Sequence, residues 1–188
     1  MTDIQIFEPD ARAIPYVVEG EGPVPLVLIP ERGQDALGVV GHYLAEEAGF
    51  HVIRIGYRRD AEGALSAADR ADDVIAVINH LGIDHTWFGG HGFGGTVART
   101  VVATHADRAN GLLLLGVEDE DLPLAPVIPV LIVQAPDDDV TPPLNGVRLQ
   151  ALAPERASIK TVGGGGHHFP QANPIETAVI IEEYLDWD

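Results

Sequence analysis

The chain has 188 residues, of which 46% are hydrophobic, and it carries a formal net charge of −18. This length suits one domain with its own core, and the hydrophobic share argues against disorder. The acidic excess disfavours nucleic acid and anionic lipid as partners, because phosphate binding requires clustered cations.

Other features of the sequence exclude particular kinds of site and of protein. The chain has no cysteine, which excludes disulfides and thiolate metal sites. Its first residues lack the basic and apolar regions of a signal peptide, and no apolar run approaches 18 residues. We therefore expect a cytoplasmic protein without a membrane span.

Short apolar runs alternate with helical patterns along the chain. Strands are predicted over residues 24–29, 52–55, 85–88, 112–115, 130–133 and 158–162. Helices are predicted over residues 37–48, with Asp35 as a cap, and over 71–81, 96–105, 144–152 and 175–185. The alternation indicates an α/β fold with a mostly parallel sheet and helices on both faces. We expect one domain over residues 1–188, with an antiparallel hairpin in the first 20 residues.

Function in an open parallel sheet sits where the strands end at their carboxyl edge. Three of the predicted strands end in unusual loops there. The first loop is the glycine-rich run Gly89–Gly95, the second holds Asp137–Asp139, and the third holds Gly166-His167-His168. This order of glycine-rich elbow, acid and histidine is the chain order of the α/β-hydrolase triad.

The sequence resembles the α/β-hydrolase family over nearly its whole length. The run from Gly90 to Gly94 is similar to the family's Gly-x-Ser-x-Gly elbow, with Gly92 at the nucleophile position. The resemblance implies Asp138 as the triad acid and His168 as the triad histidine, with His167 as the alternative. The backbone N–H groups of Arg32 and Phe93 are the implied oxyanion hole.

Three departures from the family pattern affect the expected function. Gly92 offers no nucleophilic oxygen, and the first predicted parallel strand runs into Pro30-Glu31-Arg32-Gly33 instead of a His-Gly pair. The connection after residue 115 is too short for a cap domain, so an open site is expected.

We expect an esterase-like member whose His–Asp pair supports weak or water-mediated hydrolysis of a small molecule, or an inactive mutant of a serine hydrolase. The alternative is a pseudoenzyme that binds a ligand or a partner. No cofactor or metal is expected, and the oligomeric state stays open. A serine at position 92 is expected to restore esterase activity.

A second interpretation of the same glycines indicates a different class of protein, one that binds a dinucleotide. Gly90, Gly92 and Gly95 match the Gly-x-Gly-x-x-Gly fingerprint of dinucleotide-binding folds, and the next predicted strand is followed by Glu118. That fingerprint usually follows the first strand of a fold, whereas here two strand–helix units precede it. It also leaves the Asp138 and His168 loops without a role.

Overall fold

A computed structural model describes residues 3–33, 35–58 and 65–186 of the chain. The strands are β1 (Gln5–Phe7), β2 (Ile14–Glu19), β3 (Pro25–Ile29), β4 (His51–Ile55), β5 (Thr86–His91), β6 (Ala109–Leu115), β7 (Val130–Gln134) and β8 (Ala157–Thr161). The helices are α1 (Gly38–Glu46), α2 (Ala67–His80), α3 (Phe93–Thr104), α4 (Pro143–Ala151), α5 (Phe169–Ala172) and α6 (Pro174–Leu185).

The eight strands found in the described part of the chain belong to one sheet in the order β1-β2-β4-β3-β5-β6-β7-β8. β1 and β2 form the predicted antiparallel hairpin at one edge, and β2 is also antiparallel to β4. The strands from β4 to β8 in this order pair in parallel, which confirms the mostly parallel α/β sheet. In the pairing of β3 with β5, Ile29 lies opposite Gly90. The loop after β3 therefore lies next to the elbow after β5.

Two hydrophobic clusters cover the two faces of the sheet. Along β3, Val27 and Ile29 enter the cluster that includes residues of α2 and α3, whereas Leu26 and Leu28 enter the cluster with residues of α1 and α6. This alternation follows from the two-residue period of a strand. All four side chains are at most 1% exposed, and each contributes about 1.5–3 kcal/mol through burial.

α2 begins at Ala67, four residues before its predicted start, and other departures from the predicted elements occur at the start of α1 and around the elbow. α1 begins at Gly38 without a side-chain cap, and Asp35 instead accepts the backbone N–H of Leu37 (3.1 Å) ahead of the helix. β5 runs on to His91, and α3 begins at Phe93, three residues earlier than predicted. Gly94 in the first turn lets α3 lie close to β3, because an added Cβ would overlap the backbone carbonyl groups of Ile29 and Pro30.

The connection between β6 and β7, residues 116–129, contains neither a helix nor a strand. Within the residues that the structure describes, no cap is therefore evident over the carboxyl edge of the sheet. Among the described residues, no helix is both long and apolar enough to cross a membrane.

Candidate active site

The elbow between β5 and α3 turns at Gly92, which has φ 55° and ψ −116°. Such a conformation is strained for a residue with a side chain and free for glycine. The N–H of Gly92 donates to the carbonyl of Leu115 on β6 (3.0 Å), and its carbonyl accepts the N–H groups of Gly95 and Thr96. The tip of the elbow therefore lies at the carboxyl edge of the sheet.

Asp138 and His167 meet at this same edge. Nδ1 of His167 lies 3.1 Å from Oδ2 of Asp138. Asp138 is 4% exposed, and its Oδ1 accepts the backbone N–H groups of Val140 and Thr141, both at 2.9 Å. The Thr141 hydroxyl donates to Oδ2 (2.6 Å). These bonds hold the carboxylate in place independently of the histidine, and the carboxylate in turn orients the imidazole ring.

His168, which the sequence analysis preferred, does not take this place. It is exposed, and its ring lies edge-on to that of His167 with centroids 5.4 Å apart. Both residues belong to a 3₁₀ turn over Gly166–His168. Successive side chains of such a turn differ by about 120° in direction, so only one of the two histidines can face Asp138. The structure places His167 there instead of His168.

The backbone N–H groups of Arg32 and Phe93 converge on one point, as an oxyanion hole requires. That point is occupied by Oε1 of Glu31, which lies 3.1 Å from the nitrogen of Arg32 and 3.0 Å from that of Phe93. The other oxygen, Oε2, lies 2.8 Å from Nε2 of His167. The site therefore consists of an imidazole between two carboxylates, with one carboxylate also bound to the hole.

Glu31 was not among the residues proposed from the sequence. The only signal was that Pro30-Glu31-Arg32-Gly33 stands where the family has a His-Gly pair. The structure explains the missing side chain at Gly92 through this glutamate. A Cβ added to Gly92 would overlap Oε2 of Glu31 and would lie 2.7 Å from its Cδ. The glycine leaves the room that the carboxylate fills.

The charges of the site stabilise one another. Burial alone would raise the pKa of Glu31, but hydrogen bonds from His167, Arg32 and Phe93 bring that pKa below its ordinary value. Burial likewise raises the pKa of Asp138, while hydrogen bonds from Thr141 and His167 lower it overall. The pKa of His167 is raised, first by Glu31 and then by Asp138, against the opposing effect of burial. Each shift favours the charged form of its group, as expected for an imidazole between two carboxylates.

His91, just before the elbow, packs against the ring of His167 and contacts its backbone. Its Nε2 lies 2.7 Å from the carbonyl oxygen of His167, and the two rings stack with centroids 4.6 Å apart. Its Nδ1 is buried and has no hydrogen-bond partner in the described part of the chain. Burial lowers the pKa of His91 to about 4. His91 is therefore neutral, and it donates from Nε2 to hold the backbone of His167.

The described residues of the site are poorly suited to binding a dinucleotide or a metal ion. The N–H of Phe93, at the start of α3, is taken by the Glu31 carboxylate, which puts a negative charge where a pyrophosphate would bind. Glu118 accepts a hydrogen bond from Thr96 (2.5 Å). Across residues 3–33, 35–58 and 65–186, no group of three or more acidic or histidine side chains is arranged to hold a metal ion.

A family model described as "Alpha/beta hydrolase family" matches residues 34–171 of this chain. The chain belongs to the α/β-hydrolase family. No match is found among curated proteins. The structure of this α/β hydrolase, however, resembles many solved structures.

Three of those structures illustrate the likeness. Est816, described as an N-acyl homoserine lactone degrading enzyme, superposes with a TM-score of 0.83 at 20% identity, covering 96% of this chain and 100% of that one. A thermophilic esterase from Thermogutta terrifontis gives 0.79 at 17% identity, with 99% and 98% covered. A bacterial membrane phospholipase A gives 0.86 at 16% identity, with 98% and 86% covered. At these identities the likeness shows a shared fold.

Proposed function

We propose that this protein is a hydrolase, esterase-like in ancestry, that activates water with His167 and Asp138 and forms no acyl-serine. One observation carries the proposal, namely that the His167–Asp138 pair is intact beside an elbow that has no oxygen. Asp138 holds Nδ1, so Nε2 is the ring atom left for proton transfer, and it lies 2.8 Å from Oε2 of Glu31, which fills the space beside Gly92. Only the neutral imidazole can take a proton from water, and because Glu31 and Asp138 raise the pKa of His167, that form becomes more populated as the pH rises.

The fit between Gly92 and Glu31 supports this proposal against the alternative of an inactivated serine enzyme. A serine at position 92 would require the Glu31 side chain to leave its present place, because the added Cβ would overlap the carboxylate, and Glu31 would then lose its contacts with Arg32, Phe93 and His167. Simple loss of a serine would not require a glutamate bound to both N–H groups of the hole. We therefore treat glycine as the residue that belongs at the elbow of this protein.

Slow turnover of ordinary esters is the expected consequence. General-base catalysis contributes about 10²–10⁴-fold, whereas loss of a triad serine costs about 10⁶-fold in a serine protease of another fold. The carbonyl oxygen of an ester must also displace Oε1 of Glu31 from the N–H groups of Arg32 and Phe93. Both effects place the activity well below that of a serine esterase.

The test is hydrolysis of short p-nitrophenyl esters by the wild type, His167→Ala and His168→Ala. We expect slow turnover above buffer in the wild type, loss of that turnover in His167→Ala, and near wild-type rates in His168→Ala. Fluorophosphonates should not label residue 92. Equal rates in the wild type and His167→Ala would place the activity elsewhere and contradict the proposal.

A ligand-binding pseudoenzyme is the second candidate function. The observation that favours it is the carboxylate of Glu31 on the N–H groups of Arg32 and Phe93, which fills the hole with a group of the protein itself. Under this alternative no ester is turned over in a His167-dependent manner. The same panel of esters and variants therefore separates the two functions.

A further inference from the structure

We propose that the side chain of Arg32 binds a carboxylate of the substrate, so that this protein prefers monoesters of dicarboxylic acids to neutral esters. The inference rests on the proposed function and deepens it, because it names the class of ester that His167 would hydrolyse. It assigns a role to a guanidinium group that the activation of water does not use.

The guanidinium group of Arg32 lies over the ring of Phe93, with Cζ 3.6 Å from the ring centroid. The same two residues direct their backbone N–H groups at the oxyanion hole, where both contact Oε1 of Glu31. Arg32 is exposed, so a molecule can approach its side chain from solvent. A substrate that places a carbonyl oxygen in the hole therefore has a guanidinium group beside it for a second, anionic group.

Most hydrogen-bond donors of the Arg32 guanidinium are unused in the described part of the chain. A guanidinium group has five N–H donors, and only Nη2 has a partner, the carbonyl of Leu65 at 3.4 Å. Arg32 forms no ion pair with a carboxylate of residues 3–33, 35–58 or 65–186. Contact with the ring of Phe93 covers one side of the planar group and leaves N–H donors at its edge. Arg32 thus has both the donors and the charge that a carboxylate requires.

Arg32 belongs to a local excess of positive charge, the arginine cluster, which also contains Arg12, Arg58 and Arg70. Among the ion pairs of the described residues, these three share one carboxylate, that of Asp73, at 2.9, 2.7 and 4.0 Å. Nη1 of Arg70 is buried and has no hydrogen-bond partner in that part of the chain. Because the protein as a whole has a net charge of −18, attraction of an anion requires a local group of cations such as this one.

Two aromatic rings connect the arginine cluster with the oxyanion hole. Cζ of Arg70 lies 4.5 Å from the ring centroid of Tyr57, and the ring centroids of Tyr57 and Phe93 are 6.1 Å apart. Burial is the main cause that lowers the pKa of Arg70, and the charges of Arg58 and Arg32 lower it further, despite the nearby carboxylate. The guanidinium groups are thus close enough to repel one another, and a bound anion would offset that repulsion.

A single negative charge suits this position better than a double one. Arg32 is the member of the arginine cluster that has no carboxylate partner among the described residues, and it can compensate one charge. Two carboxylates, those of Glu31 and Asp138, already flank His167, so a dianionic phosphate would add more repulsion than one guanidinium group offsets. A carboxylate carries one charge and accepts two parallel hydrogen bonds from an arginine. These charges favour a carboxylate over a phosphate.

The spacing of the two binding groups defines the kind of molecule. One donor of the hole is the backbone N–H of Arg32, and the carboxylate would bind at the far end of the same side chain. The ester carbonyl and the carboxylate of the substrate must therefore be separated by several atoms. Monoesters of linear dicarboxylic acids such as adipic acid meet this requirement once Glu31 has left the hole.

The kinetic test compares two esters that differ by one charge. Mono-p-nitrophenyl adipate has a free carboxylate, and methyl p-nitrophenyl adipate is its neutral counterpart. The measured quantity is the ratio of kcat/KM for the anionic ester to that for the neutral ester. We expect this ratio to fall about 5-fold in Arg32→Gln, as for loss of an exposed ion pair. It should fall less in Arg32→Lys, which keeps the charge without the two-pronged donor.

Arg148→Gln is the matched control for the loss of one positive charge. Arg148 is exposed on α4, a helix that contributes no residue to the site. The ratio of the two kcat/KM values should therefore equal that of the wild type. An equal fall in Arg148→Gln and Arg32→Gln would show a general effect of net charge and would overturn the inference.

Binding of stable analogues tests the carboxylate site without turnover. Adipic acid monoanilide has the carboxylate and an amide in place of the reactive ester, and the corresponding primary amide is neutral. By titration calorimetry we expect the wild type to bind the acid more tightly than the amide, and Arg32→Gln to lose this difference. Circular dichroism of each variant shows that it is folded. Equal affinities for the two analogues in the wild type, or an unchanged preference for the acid in Arg32→Gln, would overturn the inference.

The two assays separate failure of this inference from failure of the proposed function. If His167→Ala abolishes turnover of the neutral ester while Arg32→Gln leaves the ratio unchanged, the carboxylate inference is wrong and the proposed function stands. If no ester is turned over in a His167-dependent manner but the acid binds through Arg32, the proposed function is wrong and the carboxylate site is that of a pseudoenzyme.

Discussion

The carboxylate of Glu31 fills the space that a side chain at residue 92 would need. A Cβ on Gly92 would lie 2.7 Å from Cδ of the glutamate and would overlap its Oε2. The backbone brings them together because Ile29 of β3 pairs with Gly90 of β5. The effect of a substitution at residue 31 or residue 92 therefore depends on which residue stands at the other position.

The first prediction concerns the stability of this pair. Gly92→Ala should destabilise the fold by about 1–3 kcal/mol, because φ is 55° there and because the added Cβ displaces the Glu31 carboxylate from its hydrogen bonds with Arg32, Phe93 and His167. In the background of Glu31→Gly the same substitution should cost about 1 kcal/mol, the backbone part alone. The measurement is urea unfolding of the two single variants and the double variant.

Gly82→Ala is the matched control for this pair. Gly82 has φ 71° and nothing within 4 Å of an added Cβ, so its substitution reports backbone strain without overlap. Additive effects of Gly92→Ala and Glu31→Gly would show that the two residues do not compete for space.

The second prediction concerns restoration of a serine. The sequence alone suggested that Gly92→Ser would produce an esterase, but the structure indicates that Glu31 blocks the new side chain and its oxyanion hole. We expect no fluorophosphonate labelling of Gly92→Ser and clear labelling of Gly92→Ser with Glu31→Gly. Adding His167→Ala to the double variant should abolish labelling. Fast labelling of the single variant would contradict this, because it would show that the Glu31 side chain moves aside at little cost.

The third prediction concerns pH. The pKa of His91 is about 4 in the folded protein and 6.5 in the reference state, so the unfolded chain binds its proton first as the pH falls. His91 therefore makes the fold progressively less stable from about pH 6.5 to about pH 4, by up to about 3 kcal/mol. His91→Gln keeps a donor toward the carbonyl of His167 but does not titrate.

The test compares the free energy of unfolding of the wild type and His91→Gln between pH 7 and pH 4. The difference between the two proteins removes the common contribution of Glu31 and Asp138, whose lowered pKa values also cost stability in acid. We expect the wild type to lose more stability than the variant. Parallel curves would mean that His91 is not buried in its neutral form.

The fourth prediction concerns a buried carboxylate away from the site. Asp73 on α2 is 2% exposed and pairs with Arg12 at 2.9 Å and with Arg58 at 2.7 Å. Asp73→Asn should destabilise the protein by about 2–4 kcal/mol, because it leaves partly buried guanidinium groups without their counter-charge. The exposed neighbour Asp72 provides the control, and Asp72→Asn should change thermal stability little. Equal effects of both changes would refute the structural role of Asp73.

The sequence allowed most of the fold to be predicted, because buried parallel strands leave continuous aliphatic runs such as Leu112–Leu115 and Val130–Val133. It also placed Gly92 and Asp138 in loops that meet at one edge. Two features of the site depend on long-range geometry instead. Whether His167 or His168 faces Asp138 is set by the 3₁₀ turn that carries them. The position of Glu31 depends on the pairing of β3 with β5, which no local pattern encodes.

The plain connection from residue 116 to residue 129 has a consequence for how this protein can diversify. It joins two neighbouring parallel strands, β6 and β7, and it contains neither helix nor strand. Insertions are tolerated best in surface loops, because lengthening a loop adds little entropic cost. A segment grafted here would sit at the carboxyl edge, beside Gly92 and Asp138, without changing a strand. The connection is therefore the point at which a new substrate preference could be acquired by insertion alone, while the eight-stranded sheet stays as it is.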